Sequence, residues 1–165
     1  MTVRLAALDD LPRIVEIYNQ AIASRNATAD TVPFTLEQRL DWFHAHPADE
    51  YPLYVYEEDG RVLGWLSLSP YRGRPALRRT AEVSYYVDYT CHGRGFGSAL
   101  MAHMLEACPQ TAKVLVAILL EWNTGSIKLL EKFGFERWGH MPEVAEFDGK
   151  VTGHLYYGRK VSESV

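Results

Sequence analysis

The sequence predicts an α/β protein of the α+β kind, with a mixed, mostly antiparallel central sheet and helices on both faces. Three observations carry this expectation. The middle of the chain holds β-rich runs joined by the turn Glu58-Asp59-Gly60-Arg61. The second half alternates strand and helix patterns. Finally, Val114-Leu115-Val116-Ala117-Ile118-Leu119-Leu120 is a near-continuous apolar run, as expected of a strand buried on both faces in a sheet interior. At 165 residues the chain is most simply one domain, spanning 1–165, without an internal repeat or linker.

Taken in order, Val3–Ala6 is a short apolar strand. Leu8-Asp9-Asp10-Leu11-Pro12 opens a helix, with acids near its positive end and proline in its first turn. Leu11, Ile14, Val15, Tyr18 and Ile22 recur at helical spacing and form a core-facing stripe. Residues 23–33 are polar and irregular, either a surface connection or a cover over a substrate. Thr35-Leu36-Glu37-Gln38 fits a capping box, followed by a helix with Leu36, Leu40 and Phe43 that Pro47 stops. Tyr51–Glu57 and Arg61–Tyr71 pair through the hairpin turn, with Val62, Trp65 and Leu66 packing. Residues 72–79 form an arginine-rich loop, and Thr80–Val87 returns as a strand. A polar bend and three alternate glycines lead to a helix over Ala99–Ala107. The apolar strand Lys113–Leu120 follows, then a helix over Ser126–Phe133 ended by Gly134. The last strands, Glu136–Ala145 and Thr152–Val161, turn at Asp148-Gly149.

Composition narrows the function. Hydrophobic residues make up 47% and charged residues 23%, as in ordinary globular proteins. A net charge of −4 argues against nucleic acid as the main partner. Two cysteines, Cys91 and Cys108, are too few for a disulfide framework, so a cytoplasmic location is expected. No apolar run is long enough to span a membrane and no signal-peptide pattern opens the chain. The six histidines show no metal-ligand spacing, so no metal is expected.

The chain is organised around Tyr85-Tyr86-Val87-Asp88-Tyr89-Thr90-Cys91-His92-Gly93-Arg94-Gly95-Phe96-Gly97-Ser98. A glycine-rich turn between a strand and a helix aims free backbone N–H groups and the positive helix end at one point, which suits a phosphate or pyrophosphate. Side chains there would hold an anion off the backbone and resist positive φ. Arg94 adds a charge inside the loop. The spacing lacks the third glycine of a dinucleotide fingerprint, and no Gly-Lys-Ser/Thr follows. What remains is a pyrophosphate cradle of another kind.

The run His92-Gly93-Arg94-Gly95-Phe96-Gly97-Ser98-Ala99-Leu100 resembles the acetyl-CoA pyrophosphate loop of the GNAT N-acetyltransferases, Gln/Arg-x-x-Gly-x-Gly/Ala, with His92 in place of Gln/Arg. Downstream, Asn123-Thr124-Gly125-Ser126 and Leu130-Glu131-Lys132-Phe133-Gly134-Phe135 resemble the family's Asn-x-x-Ala/Ser helix ending in Gly-Phe. Within the family the likeness is to the phosphinothricin and methionine sulfoximine acetyltransferase branch. It rests on Ile17-Tyr18-Asn19-Gln20-Ala21, Gly73-Arg74-Pro75-Ala76, Thr80-Ala81-Glu82-Val83-Ser84 and Tyr86-Val87-Asp88. The resemblance implies a splayed strand pair holding acetyl-CoA as acetyl donor. In it, the backbone of Tyr85, Tyr86 and Val87 pairs with the pantetheine arm. His92, Gly93, Arg94, Gly95, Phe96, Gly97 and Ser98 take the pyrophosphate, and Asn123, Ser126 and Lys132 complete the cofactor site. Relatives also imply a homodimer.

Acetyl transfer needs a neutral amine, so a base is required. Glu82, in the otherwise apolar Ala81-Glu82-Val83-Ser84-Tyr85, is the candidate, the alternative being that it faces solvent. Many relatives protonate the departing thiolate with a tyrosine whose place is taken here by Leu130. Either Asn123 with an ordered water or a tyrosine from another segment then serves. Arg74 is the candidate for a substrate carboxylate, because guanidinium holds carboxylates bidentately, the alternative being a solvated loop. Pro75, Ala76 and Phe34 join it as substrate contacts, and Trp65, Tyr71 and Phe34 are wall or core aromatics. The expected activity is acetylation of a small-molecule amine on an amino acid or analogue of the methionine sulfoximine, methionine sulfone or phosphinothricin type. The alternatives are another amine, such as a polyamine or protein N-terminus, or a non-catalytic acyl-CoA sensor.

Overall fold

The structure is a computed structural model and describes residues 1–161. Seven strands form one sheet: β1 (Thr2–Leu5), β2 (Leu53–Glu58), β3 (Arg61–Pro70), β4 (Thr80–Val87), β5 (Val114–Leu120), β6 (Glu136–Phe147) and β7 (Lys150–Lys160). Their order is β1-β2-β3-β4-β5-β7-β6. Every neighbouring pair is antiparallel except β4 and β5, which run parallel. Two Asp-Gly turns close the hairpins. Asp59 and Gly60 have φ of 51° and 75°, and Asp148 and Gly149 have 52° and 82°, the positive values that two-residue hairpin turns demand.

Helices cover both faces. On one, α1 (Leu11–Ser24) lays Leu11, Ile14, Ile17, Tyr18 and Ile22 against Leu53, Val55, Val62 and Trp65. On the other, α3 (Phe96–Glu106) and α4 (Thr124–Lys132) bury Phe96, Leu100, Met101, Met104 and Leu130 against Leu66, Leu68, Ala81, Val83 and Leu115. Strand alternation on β4 thus sends Ala81, Val83 and Tyr85 to the α3–α4 face and leaves Glu82, Ser84 and Tyr86 on the α1 face.

Several boundaries move from the expected ones, each for a local reason. α3 begins at Phe96 rather than Ala99, because Gly95 adopts φ 84° as the residue before the helix and frees the next three residues to be helical. α4 begins at Thr124, because Asn123 caps it by accepting a hydrogen bond from Ser126 N–H at 3.2 Å. The Thr35–Gln38 capping box forms (Thr35 N–H to Gln38 Oε1, 2.9 Å). Only a 3₁₀ turn and the five-residue α2 (Leu40–His44) follow it, however, and Leu36 is exposed.

The feature that matters most is the short parallel pairing. β4 and β5 are in register at only three rungs, Thr80–Val114, Ala81–Leu115 and Glu82–Val116. Beyond Glu82, β4 stays paired to β3 as far as Val87, and β5 to β7 as far as Leu120. The two strands therefore part, and a wedge opens between their C-terminal halves.

Candidate active site

The wedge is a cavity. Its main chamber, about 360 Å³, runs from Tyr85, Tyr86 and Val87 along the glycine loop to Asn123, Ser126 and Leu129 at the start of α4. A smaller recess lies deeper, between Val83–Tyr86 and Ala117–Leu119. The apex of the wedge is the last rung, Glu82–Val116.

The far end is a cradle made of backbone. Gly93 and Gly95 have φ of 81° and 84°, and a Cβ built on either meets nothing within 4 Å, so the space in front of the loop is open. The first helical bond is Ala99 N–H to Gly95 O (3.0 Å), which leaves the N–H groups of Phe96, Gly97 and Ser98 without helical acceptors. Gly97 serves packing instead: its Cβ would lie 3.3 Å from Leu129 Cδ2 on α4. Free N–H groups, a helix dipole and open space in front of them fit a pyrophosphate. The edge of β4 beyond Glu82 offers unpaired backbone groups to an extended arm such as pantetheine.

Of the expected cofactor residues, Tyr85, Tyr86, Val87, His92, Gly93, Gly95, Phe96, Gly97, Asn123 and Ser126 line this chamber. Arg94, Ser98 and Lys132 do not. Arg94 pairs with Glu58 at 3.1 Å and lies over the Phe96 ring, while Lys132 donates to Ser98 Oγ at 3.1 Å and ties α4 to α3. His92 donates from Nε2 to Val87 O (3.0 Å) and packs on Tyr89, so it braces the loop. Asn26, Ala27, Tyr89, Cys91 and Gly125 also line the chamber. The first two come from the irregular segment after α1, whose polar composition marked it as a possible cover.

Behind the cradle stands a residue that local patterns do not reveal. Asp88, 1% exposed, accepts hydrogen bonds from Thr90 N–H (2.8 Å), Thr90 Oγ1 (2.7 Å) and the Arg13 guanidinium of α1. Although burial opposes ionisation, these donors hold its carboxyl well below the usual carboxylate range. Arg13 also donates to Val62 O (2.9 Å), so one ion pair pins helix, strand and loop entrance together.

At the apex, Glu82 is half-buried on the α1 face beside Tyr86. Burial pushes its carboxyl up, and the positive charge of Arg72 partly opposes this. The expected Arg74 is exposed on the loop, its guanidinium in no ion pair or hydrogen bond among the described residues, and Pro75 and Ala76 sit in an exposed 3₁₀ turn. None of the three lines the cavity. Arg72 is the guanidinium whose field reaches Glu82; it lies over the Tyr71 ring at 4.3 Å. Phe34 stacks on Tyr18 (5.9 Å) under the Arg39 guanidinium, and Trp65 is core, donating to Ile14 O at 3.2 Å. Leu130 is fully buried and cannot reach the chamber. No group of metal-ligating side chains occurs among the described residues.

A splayed parallel pair, a backbone anion cradle at its open end and a carboxylate at its apex define an acyl-CoA-dependent N-acyltransferase site. Comparison with known proteins narrows this class. Residues 14–135 match the model of the Acetyltransferase (GNAT) family. The chain is 46% identical to "Putative phosphinothricin acetyltransferase YwnH" of Bacillus subtilis, covering 98% of this chain and 100% of that one. It is 36% identical to L-methionine sulfoximine/L-methionine sulfone acetyltransferase of Pseudomonas paraeruginosa, over 90% and 88%. Among solved structures, a GNAT superfamily phosphinothricin acetyltransferase from Sinorhizobium meliloti in complex with acetyl-CoA superposes with a TM-score of 0.91, at 28% identity over 97% and 88%. The chain belongs to the GNAT acetyltransferase family, and it is an N-acetyltransferase with acetyl-CoA as its acetyl donor.

Proposed function

We propose that the enzyme acetylates the α-amine of a small amino-acid analogue, of the methionine sulfoximine, methionine sulfone or phosphinothricin type, by direct attack of the amine on the thioester. The observation that carries this reading is the apex itself: a half-buried carboxylate, Glu82, on the last β4–β5 rung, with the arginine-bearing loop 72–79 leading into its strand. A substrate bearing an amine and a carboxylate on one carbon matches that combination of carboxylate and arginines. The names of the relatives support the same substrate class.

In this mechanism Glu82 takes the proton of the ammonium group, directly or through water, and its raised pKa brings it nearer the pH at which that transfer is efficient. Arg72 orients the carboxylate; we assign it this role in place of Arg74 because Arg72 is the arginine whose positive charge acts on Glu82. The Gly93–Ser98 loop and the α3 N-terminus hold the pyrophosphate, and the β4 edge at Tyr85–Val87 holds the pantetheine arm. Asn123 spends Oδ1 on its helix cap and keeps its amide N–H groups for the chamber. Bound acetyl-CoA supplies the activated acetyl group. We further propose a cytoplasmic homodimer, supported by two free cysteines and by exposed Trp138, Met141, Val144 and Val151 on the β6–β7 hairpin. Sedimentation velocity tests the dimer.

The deciding experiment measures thiol release from acetyl-CoA across methionine sulfoximine, methionine sulfone, phosphinothricin, spermidine and a short peptide. Selective turnover of the first three is expected. Preference for spermidine or peptide would overturn the substrate class, and acetyl-CoA binding without any turnover would overturn the mechanism.

A further inference from the structure

Amine attack leaves a thiolate behind, and an N–H or O–H aimed at the sulfur lowers that barrier. Helix α4 does not supply one at Leu130, which is buried between α4 and the sheet. Tyr85 stands elsewhere. It leaves β4 on the face opposite Glu82 and Tyr86, crosses the wedge, and meets Ser126 Oγ on the first turn of α4 at 2.5 Å. Both residues line the main chamber and the deeper recess.

Two hydroxyls carry two protons. Their mutual bond uses one, and the Ser126 N–H is already spent on Asn123 Oδ1. Neither hydroxyl has another acceptor among the described residues, so one O–H remains for the cavity whichever way the pair is oriented. That free O–H is what an acceptor entering the wedge would meet. Burial pushes the Tyr85 phenol up to about 12, so it stays a donor across the working pH range.

We propose that the Tyr85–Ser126 hydroxyl pair donates the hydrogen bond that stabilises the departing sulfur of acetyl-CoA, with Tyr85 as a catalytic residue. The assignment rests on the direct-attack reading above. Glu82 first passes the ammonium proton on to water; the freed nitrogen lone pair then forms the C–N bond, Glu82 accepts the second nitrogen proton, and the C–S bond breaks with its electron pair going to sulfur. The pair holds that sulfur as an anion, which then takes a proton from water, while Glu82 returns its proton to water. Because a phenol at about 12 is a weaker acid than a thiol near 8.5, Tyr85 acts by hydrogen bonding rather than by full transfer.

The test titrates the thiol of CoA bound to the enzyme, followed by its thiolate absorbance, in wild type, Tyr85→Phe and Ser126→Ala. Tyr85→Phe is expected to raise the thiol's ionisation midpoint by about one pH unit, tenfold in its ionisation constant. It should also lower kcat about tenfold while CoA affinity stays within about threefold, the split expected of an interaction made to the leaving group. Ser126→Ala, which keeps the phenol, should shift both in the same direction by less, and it decides the matter alone if Tyr85→Phe does not fold. Identical thiol titrations in wild type and both variants would overturn the proposal. A thiol shift lost in Tyr85→Phe, in an enzyme that turns over no amino-acid analogue, would leave Tyr85 in place and remove the substrate reading instead.

Discussion

The cradle under α3 and the rim at residues 71–79 flank β4 at its two ends, and they are made of different materials. The cradle is backbone: glycines at positive φ, a helix start and a strand edge, with the side chains of Arg94, Lys132 and Ser98 turned away to neighbours. The rim is side chain: long arginines on an exposed loop, one of which lies on Tyr71 and sends its field to Glu82. In the reading proposed above, the backbone site takes what all acetyl-CoA chemistry shares, whereas the side-chain site, more easily varied, sets which amine is accepted. Glu82, on the last rung before the strands part, is where the two meet.

The largest expected effect falls at that meeting point. Glu82→Gln should lower kcat by about 10²–10⁴, the usual yield of general-base catalysis. It should also remove the acid limb of the pH–rate profile. With its pKa raised, wild-type Glu82 is the active carboxylate only above that pKa, so the rate falls as pH drops through it. A Gln variant with an unchanged rate at every pH would break the comparison at its centre.

The next effect belongs to the cradle alone. Gly95→Val forces a β-branched residue into φ 84° and places its side chain in the open space before the loop. Acetyl-CoA affinity should fall on the order of a hundredfold, about 2.7 kcal/mol, for every amine tested. Unchanged affinity by calorimetry would show that the cradle does not hold the donor.

The rim should respond differently. Arg72→Ala is expected to raise KM for amines bearing a carboxylate by about tenfold or more, the worth of a charged hydrogen bond, and to spare simple amines. Arg74→Ala should do neither. If the two variants exchange behaviour, Arg74 turns inward when substrate binds.

The difference in materials also explains what the sequence disclosed. Alternate glycines after a strand, an Asn-x-x-Ser run and the Asp-Gly turns are local patterns, and the structure places a helix start or a turn at each, although α4 begins at Thr124 rather than the expected Ser126. The fold class and the cradle were therefore legible. The start of α3 was not, because a helix beginning directly after Gly95 depends on one φ angle that composition does not express. Arg72 and Arg74 could not be told apart, since the direction of a loop arginine is set by what it packs on, here Tyr71. The Tyr85–Ser126 contact joins residues 41 apart and the Arg13–Asp88 pair residues 75 apart, and no short motif encodes either.

That last pair yields the smallest effect on turnover and a clear one on stability. Asp88 touches no part of the chamber directly but closes the turn that begins the cradle. Its folded pKa lies far below the unfolded value near 3.9, so its contribution is complete above about pH 4 and is lost as pH falls further through the folded pKa. Asp88→Asn cannot be an anion for Arg13, so it should unfold more readily at neutral pH, with Tm lower by about 2–4 °C for each kcal/mol lost. Below pH 4 the difference from wild type should shrink, because the Asp88 carboxyl of the unfolded wild-type chain then takes up a proton and draws the equilibrium toward unfolding. Thermal melts of both proteins from pH 7 down to 3 test this, and parallel curves would mean that Arg13 and Asp88 stabilise the cradle by shape rather than by charge.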